Sequence, residues 1–169
     1  MLTVKQPSER TVVMDVVVVG VDGSGNARSA LRTAITEAEW RGAAVLAVHV
    51  VHYPLTFGID GAIGVDFGAI EASGKAALER ELSAVEAEYP GGFPVEVRAV
   101  VRLGHVGSQL LCVDHYEDDI NVVLTVAGTR GLGGFRGLLV GSTTTYLVHH
   151  LKTPLLVVPE PELVEAGDG

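Results

Sequence analysis

Near the start of the chain lies a run of β-branched residues with almost no polar member. Residues 12–21 read VVMDVVVVGV, and seven of these ten are valine. A strand that faces water on one side alternates apolar and polar residues, whereas a continuous apolar run fits a strand buried on both faces of a parallel sheet. The run therefore predicts a central strand of an α/β protein. The composition agrees, because 47% of the residues are hydrophobic and only 5% are aromatic.

Strand-like and helix-like patterns alternate along the chain that follows. Asn26 or Ser24 could cap the first helix, which Gly42 ends, and the third strand alternates apolar and polar residues, as expected near a sheet edge. Strict alternation implies right-handed crossovers. The prediction is a single doubly wound α/β domain, Rossmann-like, with a five-stranded parallel sheet and four helices. Strands are expected over 12–21, 43–51, 93–101, 121–127 and 153–159, and helices over 27–41, 69–88, within 104–119 and over 142–151.

The segments outside this pattern are expected to be mobile. The domain would span residues 12–159, between a flexible tail at 1–11 and a flexible acidic tail at 160–169. Residues 52–68 form a connection without a clear period.

A glycine-rich segment follows the fourth predicted strand. Residues 128–142 read GTRGLGGFRGLLVGS, and a predicted helix begins at Ser142. A loop of this kind offers backbone N–H groups and the positive end of a helix dipole to an anion. No Asp or Glu occurs from Gly128 to Pro159, although Arg130, Arg136 and Lys152 do. We interpret the segment as a polyphosphate site, and the alternative is a flexible loop whose glycines only ease turns.

The position of this loop in the predicted sheet favours a shared crevice. Ligands of doubly wound sheets bind outside the carboxyl ends of the strands, where the strand order reverses. Residues 20–25, after the first strand, and the segment from Gly128 onward both lie at that edge. If the first and fourth strands are neighbours, the two glycine-containing turns flank one crevice.

Several other kinds of site are not supported by the sequence. The chain has no P-loop and no Gly-x-Ser-x-Gly elbow, and a dinucleotide fingerprint that starts at Gly23 fails because residue 28 is Arg. His49 and His52 should point to opposite faces of a strand, so no metal site is expected, and no residue is predicted to be catalytic.

Charge and hydropathy narrow the partners and the location. A net charge of −9 argues against a nucleic-acid partner. No apolar stretch approaches the roughly 20 residues of a membrane span, and residues 1–10 lack an apolar signal core, so a cytoplasmic protein without a membrane partner is expected. The single cysteine, Cys112, is expected to be a buried thiol in a reducing compartment.

Four segments carry recognisable motifs: VVVGVDGS at 17–24, AVHV at 47–50, the loop from Gly128 to Ser142, which fits the Gly-x2-Gly-x9-Gly-Ser pattern, and PLLVVP at 154–159. Together they resemble the universal stress protein family, in its nucleotide-binding branch. Two positions depart from the family pattern. Gly107 stands where many relatives carry proline, and Thr125 interrupts a strand that is usually aliphatic. Both departures concern local packing and leave the loop untouched.

The resemblance implies an ATP-binding domain that often pairs as a homodimer through its last strand. Asp22 would contact the adenosine, and Val50 would meet the adenine with its backbone. The loop glycines and the hydroxyl residues after them would hold the ribose and phosphates. The residues expected to bind ATP are Gly20, Val21, Asp22, Val50, Gly128, Thr129, Arg130, Gly131, Gly141, Ser142, Thr143 and Thr144.

Three functions are compatible with these features. The first is a binding module that would hold ATP, with Mg²⁺ on the phosphates, and act as a stress-linked sensor or regulator. The second is a slow ATPase or an autokinase, with Ser142 or a nearby threonine as acceptor and Arg130 or Arg136 stabilising the transferred charge. The third is a dimeric interaction protein that binds no nucleotide. Neither hydrolysis nor a preference for ATP over ADP or AMP follows from the sequence.

Overall fold

The computed structural model describes residues 13–52, 66–115, 117–131 and 140–159. The tails expected at 1–11 and 160–169, most of the 52–68 connection, and Arg136 lie outside these residues. The strands are β1 (Met14–Gly20), β2 (Ala44–Val51), β3 (Val97–Leu103), β4 (Ile120–Gly128) and β5 (Leu155–Val158). The helices are α1 (Gly25–Arg41), α2 (Phe67–Glu86), α3 (Val106–Leu111) and α4 (Ser142–His150). A 3₁₀ turn spans Val113–His115.

The five strands form one parallel sheet with the order β3-β2-β1-β4-β5. The valine run supplies its centre, since Val16 to Val19 are fully buried. Each buried valine side chain contributes about 1.5–3 kcal/mol by leaving water. The predicted five-stranded parallel α/β architecture with four helices is confirmed.

Alternate residues of β1 face two separate cores. Val17 and Val19 pack in the cluster that contains Leu31 of α1 and Leu78 of α2. Val16 and Val18 pack in the cluster that contains Leu110 of α3 and Leu147 of α4. Because successive side chains of a strand point to opposite faces, α1 and α2 cover one face of the sheet and α3 and α4 cover the other.

The ends of α1 follow from single residues. Ser24 is extended, and its hydroxyl accepts a hydrogen bond from the Ala27 N–H at 3.1 Å, so Ser24 is the N-cap. Asn26, the other candidate, lies inside the helix and is buried. Gly42 ends the helix in the left-handed conformation, with φ of 63°.

Two local expectations were wrong. The third strand begins at Val97 rather than residue 93, because Gly91 and Gly92 turn the chain with positive φ and Pro94 has no N–H for a ladder. It does lie at the sheet edge. The third helix lies within 104–119 as predicted, but Cys112 is its partly exposed C-cap rather than a buried thiol.

No helix within the described ranges is both long and apolar enough to span a membrane.

Candidate functional site

The point where the strand order reverses lies between β1 and β4. From β1 the chain proceeds to β2 and β3, and then crosses to β4 and β5 on the other side. The turn after Gly20 and the loop after Gly128 therefore flank one crevice, as expected of neighbouring strands. The helices α1 and α4 begin beside this crevice.

Asp22 connects the two sides of the crevice. Its Oδ1 accepts a hydrogen bond from the Ser24 N–H at 3.0 Å, which fixes the carboxylate over the β1–α1 turn. A Cβ added to Gly131 would overlap Asp22 Oδ2. The carboxylate thus lies directly against the backbone of the glycine loop, and only glycine fits at position 131 without displacing it.

The other two glycines of the loop pattern are also sites of close approach. A Cβ at Gly128 would lie 3.0 Å from Asn26 Cβ and 3.1 Å from the Arg130 carbonyl oxygen. A Cβ at Gly141 would lie 3.3 Å from the Thr129 carbonyl oxygen. The glycines at 128, 131 and 141 therefore provide space for neighbouring groups.

Main-chain hydrogen bonds hold the two ends of the loop together. The Gly141 N–H donates to the Thr129 carbonyl at 2.6 Å, and the Thr129 N–H donates to the Val158 carbonyl of β5 at 2.8 Å. The segment from Gly128 to Gly131 and the start of α4 are thereby held side by side. Residues 132–139 lie outside the described chain.

The first turn of α4 has no side-chain cap. Its N-cap is Gly141, which has no side chain to accept a hydrogen bond from the helix. The hydroxyl of Thr144 is buried and donates to the Gly128 carbonyl at 2.7 Å, and that of Thr145 donates to the Gly141 carbonyl at 3.0 Å. These two hydroxyls fix the loop to the helix, whereas Ser142 is exposed and Thr143 is partly exposed.

The residues expected at the adenosine end line the same edge of the sheet. The Val21 N–H donates to the Val48 carbonyl at 2.9 Å, which extends the pairing of β1 with β2 beyond Gly20. A Cβ at Gly20 would lie 3.1 Å from Leu110 of α3. Val50 lies near the end of β2, paired with Arg102 of β3, and is partly buried.

His49 is a part of this region that sequence reasoning did not include. Its Nδ1 lies 2.7 Å from the Val21 carbonyl oxygen, so this nitrogen carries the proton and donates. The hydrogen bond fixes the end of β1 to β2 immediately before Asp22. The signal was a single polar residue in an otherwise apolar strand. His52 is placed elsewhere, 3.3 Å from the Gly104 carbonyl.

An open apolar cleft of about 390 Å³ adjoins His49 between β2 and α2. Gly74 allows α2 to approach this closely, because a Cβ there would lie 2.9 Å from both Val51 and Val101. No sequence pattern predicted this cleft. Its lining consists of His49, Val51, Ala69, Ile70, Ser73, Gly74 and Ala77.

One acidic side chain near the crevice is paired with an arginine. Glu81 of α2 approaches the β1–α1 turn near Gly23, but it pairs with Arg28 in two hydrogen bonds of 2.6 and 3.2 Å. This pairing raises the pKa of Arg28. In the part of the chain that the structure describes, no three His, Cys, Asp or Glu side chains lie close enough to share a metal ion.

The fold and crevice define a protein of the doubly wound α/β class. A sequence model of the universal stress protein family matches residues 14–159, and the chain therefore belongs to that family. The universal stress protein Rv2005c of Mycobacterium tuberculosis is 30% identical over 147 residues, which cover 83% of this chain and 44% of that protein. The chain thus spans less than half the length of this relative.

Solved structures agree with the fold. UspA from Lactobacillus plantarum matches with a TM-score of 0.67 and 23% identity, over 86% of this chain and 97% of its own. The universal stress protein from Archaeoglobus fulgidus in complex with dAMP matches with a TM-score of 0.57 and 21% identity, over 87% of this chain and 98% of its own.

Proposed function

We propose that this chain is a cytoplasmic ATP-binding protein that acts as a stress-linked sensor or regulator. The first turn of α4 is the observation that carries the proposal. Helices begin with N–H groups that lack partners inside the helix, and no side chain of the described residues caps those of α4. Because the loop from Gly128 to Gly131 is held beside this turn, both would donate to one phosphate chain.

The rest of the nucleotide would extend along the edge of the sheet. Val50 at the end of β2 would meet the adenine, and Asp22 after β1 would contact the adenosine. From β2 to β4 is two strand spacings, about 10 Å, which a ribose over the end of β1 would bridge. The related Archaeoglobus fulgidus protein in complex with dAMP supports an adenine nucleotide as the ligand.

Mg²⁺ would enter with the phosphates. This ion usually keeps several water molecules and binds through substrate phosphates rather than through a cage made only of protein ligands. The described residues fit that mode, because none of them forms a cluster of three ionic ligands.

Titration calorimetry with ATP, ADP and AMP tests the proposal. We expect saturable binding of ATP, weaker binding as phosphates are removed, and a smaller difference among the three at high salt. Failure of all three nucleotides to bind would reject the proposal and favour a dimeric interaction protein without a nucleotide.

A slow ATPase or autokinase is the second candidate, and the exposure of Ser142 at the start of α4 favours it. Its hydroxyl would lie next to the phosphates of ATP and could accept the terminal phosphoryl group. Prolonged incubation with γ-labelled ATP separates the candidates, because a sensor that only binds would yield neither free phosphate nor labelled protein.

The proposal includes a homodimer in which the two copies pair through β5. This strand lies at the edge of the sheet, and all four of its residues are only partly buried. Nearby α4 leaves Val148 62% exposed. A second copy would pair with the open edge and cover this apolar surface.

A further inference from the structure

His49 of β2 binds the main-chain carbonyl that lies between the end of β1 and Asp22. Its Nδ1 donates to the Val21 carbonyl oxygen at 2.7 Å. The ring also contacts α2, since a Cβ on Gly74 would lie 3.4 Å from His49 Cδ2. The ring is therefore confined between a helix and the end of β1, which keeps its Nδ1 directed at Val21.

This hydrogen bond stands in place of one that regular strand pairing would provide. The Val21 N–H donates to the Val48 carbonyl, so the next bond of a parallel ladder would run from the Val50 N–H to the Val21 carbonyl. The pairing of β1 with β2 instead ends at Gly20 with Val48. The Val21 carbonyl thus leaves the ladder and bonds to the His49 ring.

The Val50 N–H is consequently left without an acceptor on β1. It lies near the carboxyl end of β2, on the side of the strand that faces β1, and Val50 is only partly buried. A buried N–H without a partner costs about 1–3 kcal/mol, so this donor is suited to a ligand that brings an acceptor. Adenine carries such acceptors on its ring nitrogens, and the proposed nucleotide has its adenine at Val50.

We propose that His49 is a positioning residue for the adenine, because its ring binds the Val21 carbonyl and thereby leaves the Val50 N–H to donate to an adenine ring nitrogen. Without the ring, the Val21 carbonyl would turn back to the Val50 N–H. Strand pairing would then occupy the donor that the adenine needs. This inference rests on the proposed nucleotide binding and adds a residue that controls recognition of the base.

Hydrogen exchange of the nucleotide-free protein, followed by NMR at the Val50 amide, tests the strand pairing directly. The Val50 amide should exchange about tenfold faster in wild type than in His49→Leu, where it gains one hydrogen bond to Val21. His49→Asn should resemble wild type, because the asparagine amide nitrogen is attached to Cγ as Nδ1 is and can donate to the same carbonyl. Equal protection of this amide in wild type and His49→Leu would overturn the inference.

Calorimetry of wild type, His49→Leu and His49→Asn then tests the base. The ligands are ATP and its 1-deaza, 3-deaza and 7-deaza analogues, each of which lacks one acceptor nitrogen of the adenine ring. We expect His49→Leu to bind ATP about tenfold more weakly, the equivalent of one hydrogen bond. Wild type should discriminate against one deaza analogue by a similar factor, whereas His49→Leu should bind that analogue and ATP equally. His49→Asn should restore both the affinity and the discrimination.

His52→Leu is the matched control. It removes the other histidine of this region whose Nδ1 lies near a main-chain carbonyl, 3.3 Å from the Gly104 oxygen. Exchange at Val50, affinity for ATP and discrimination among the analogues should all remain as in wild type. Thermal unfolding without nucleotide checks that each variant is folded, and His49→Ala repeats both measurements if leucine prevents folding.

The outcomes separate this inference from the proposed function. If wild type binds ATP and His49→Leu binds it equally well, the inference fails and the proposed function stands. Equal losses for ATP and all three deaza analogues would also overturn the inference, because His49 would then act on the fold rather than on recognition of the base. If wild type binds no ATP, the proposed function fails, and this inference fails with it.

Discussion

At the scale of single residues, the loop pattern requires glycine because neighbouring groups leave no room for a Cβ, rather than because the backbone angles are unusual. Gly23 and Gly42 have positive φ, which favours glycine, but the three pattern glycines of the loop do not. Each of those three instead has a neighbour where a Cβ would lie. The spacing was readable from the sequence, whereas the identity of the neighbours, Asp22 and Asn26 among them, was not.

Gly131→Ala should weaken ATP binding while the protein stays folded. The added methyl group would displace the Asp22 carboxylate, which is the end of a short side chain and can move. We expect a loss of affinity of about tenfold or more, from one displaced contact and a less accessible loop backbone. Calorimetry measures the affinity and circular dichroism the fold.

Gly25→Ala is the control for this change, because a Cβ there meets nothing within 4 Å. The same methyl group should leave affinity unchanged at that position. Equal affinity of Gly131→Ala and wild type would contradict the assignment of the loop to the phosphates.

Two buried threonines should respond oppositely to the same substitution. Thr125 and Thr144 are almost completely buried, but the hydroxyl of Thr125 has no partner among the described residues, whereas that of Thr144 donates to the Gly128 carbonyl. Thr125→Val should therefore stabilise the free protein by about 1 kcal/mol, and Thr144→Val should destabilise it by about 1–3 kcal/mol. Urea unfolding without nucleotide gives both values, and a loss of stability in Thr125→Val would show that its hydroxyl finds a partner.

At the scale of elements, two arginine–glutamate pairs join α1 to α2 and to the turn that follows α2. Arg32 bonds Glu88 through two contacts of 2.7 and 2.6 Å, and Arg28 bonds Glu81 in the same manner one turn earlier. Both guanidinium groups are more than 40% exposed, so each pair is screened by water and contributes little by itself.

Glu88→Gln should reduce stability in a way that depends on pH. The hydrogen bond from Arg32 lowers the pKa of Glu88 below its ordinary value of 4.5. Because the pKa of Glu88 is lower in the folded protein than in the unfolded chain, its charge stabilises the fold at any pH above the unfolded-state pKa. This contribution is lost as the pH falls through the folded-state pKa. The wild type should therefore be slightly more stable than Glu88→Gln at pH 7, and the difference should vanish in acid.

Unfolding free energies from pH 7 down to pH 3 check this expectation. Glu71→Gln on the exposed side of α2 is the control and should differ little from wild type at any pH. A difference for Glu88→Gln that persists in acid would mean that the change acts through packing rather than charge.

The elements also show where sequence reasoning succeeded and where it stopped. Long apolar runs and helical spacing predicted the ends of β1, α1 and α4 to within a few residues. These signals are readable because packing periodicity and helix caps depend on residues that are close in the sequence. The start of β3 was misplaced because Phe93 and Val95 pack against the core before any ladder begins. The third helix lies within the predicted range of 104–119, but its ends could not be placed because six residues followed by a 3₁₀ turn show too few repeats of the helical spacing.

At the scale of the whole molecule, the arrangement of strands decides whether the motifs meet. The sequence identified the glycine loop and the turn at Asp22 separately, but their contact depends on β1 and β4 being neighbours, over a separation of about a hundred residues. His49 was missed for the same reason, since its hydrogen-bond partner is the Val21 carbonyl at the end of the neighbouring strand β1. The chain has a net charge of −9, but its stretch from 128 to 159 contains no acidic residue and is therefore suited to an anion.

The open edge of β5 gives the last prediction, which concerns assembly. The carbonyls of Pro154 and Val158 accept hydrogen bonds from β4. Backbone groups alternate in direction along a strand, so those of Leu155 and Val157 face outward, where a second copy would pair. Pro159 has no N–H to offer.

Val157→Pro should therefore produce a folded monomer. Proline at this position removes an outward N–H and no bond to β4, and edge strands tolerate proline where the N–H faces solvent. Val157 belongs to neither core cluster, so little packing is lost. Sedimentation velocity should show a dimer for wild type and for the control Val157→Thr, which keeps both the N–H and the branched shape, but a monomer for Val157→Pro. If Val157→Pro is still a dimer, the interface lies elsewhere. Because the proposed nucleotide crevice is built within one copy, a monomeric variant should still bind ATP.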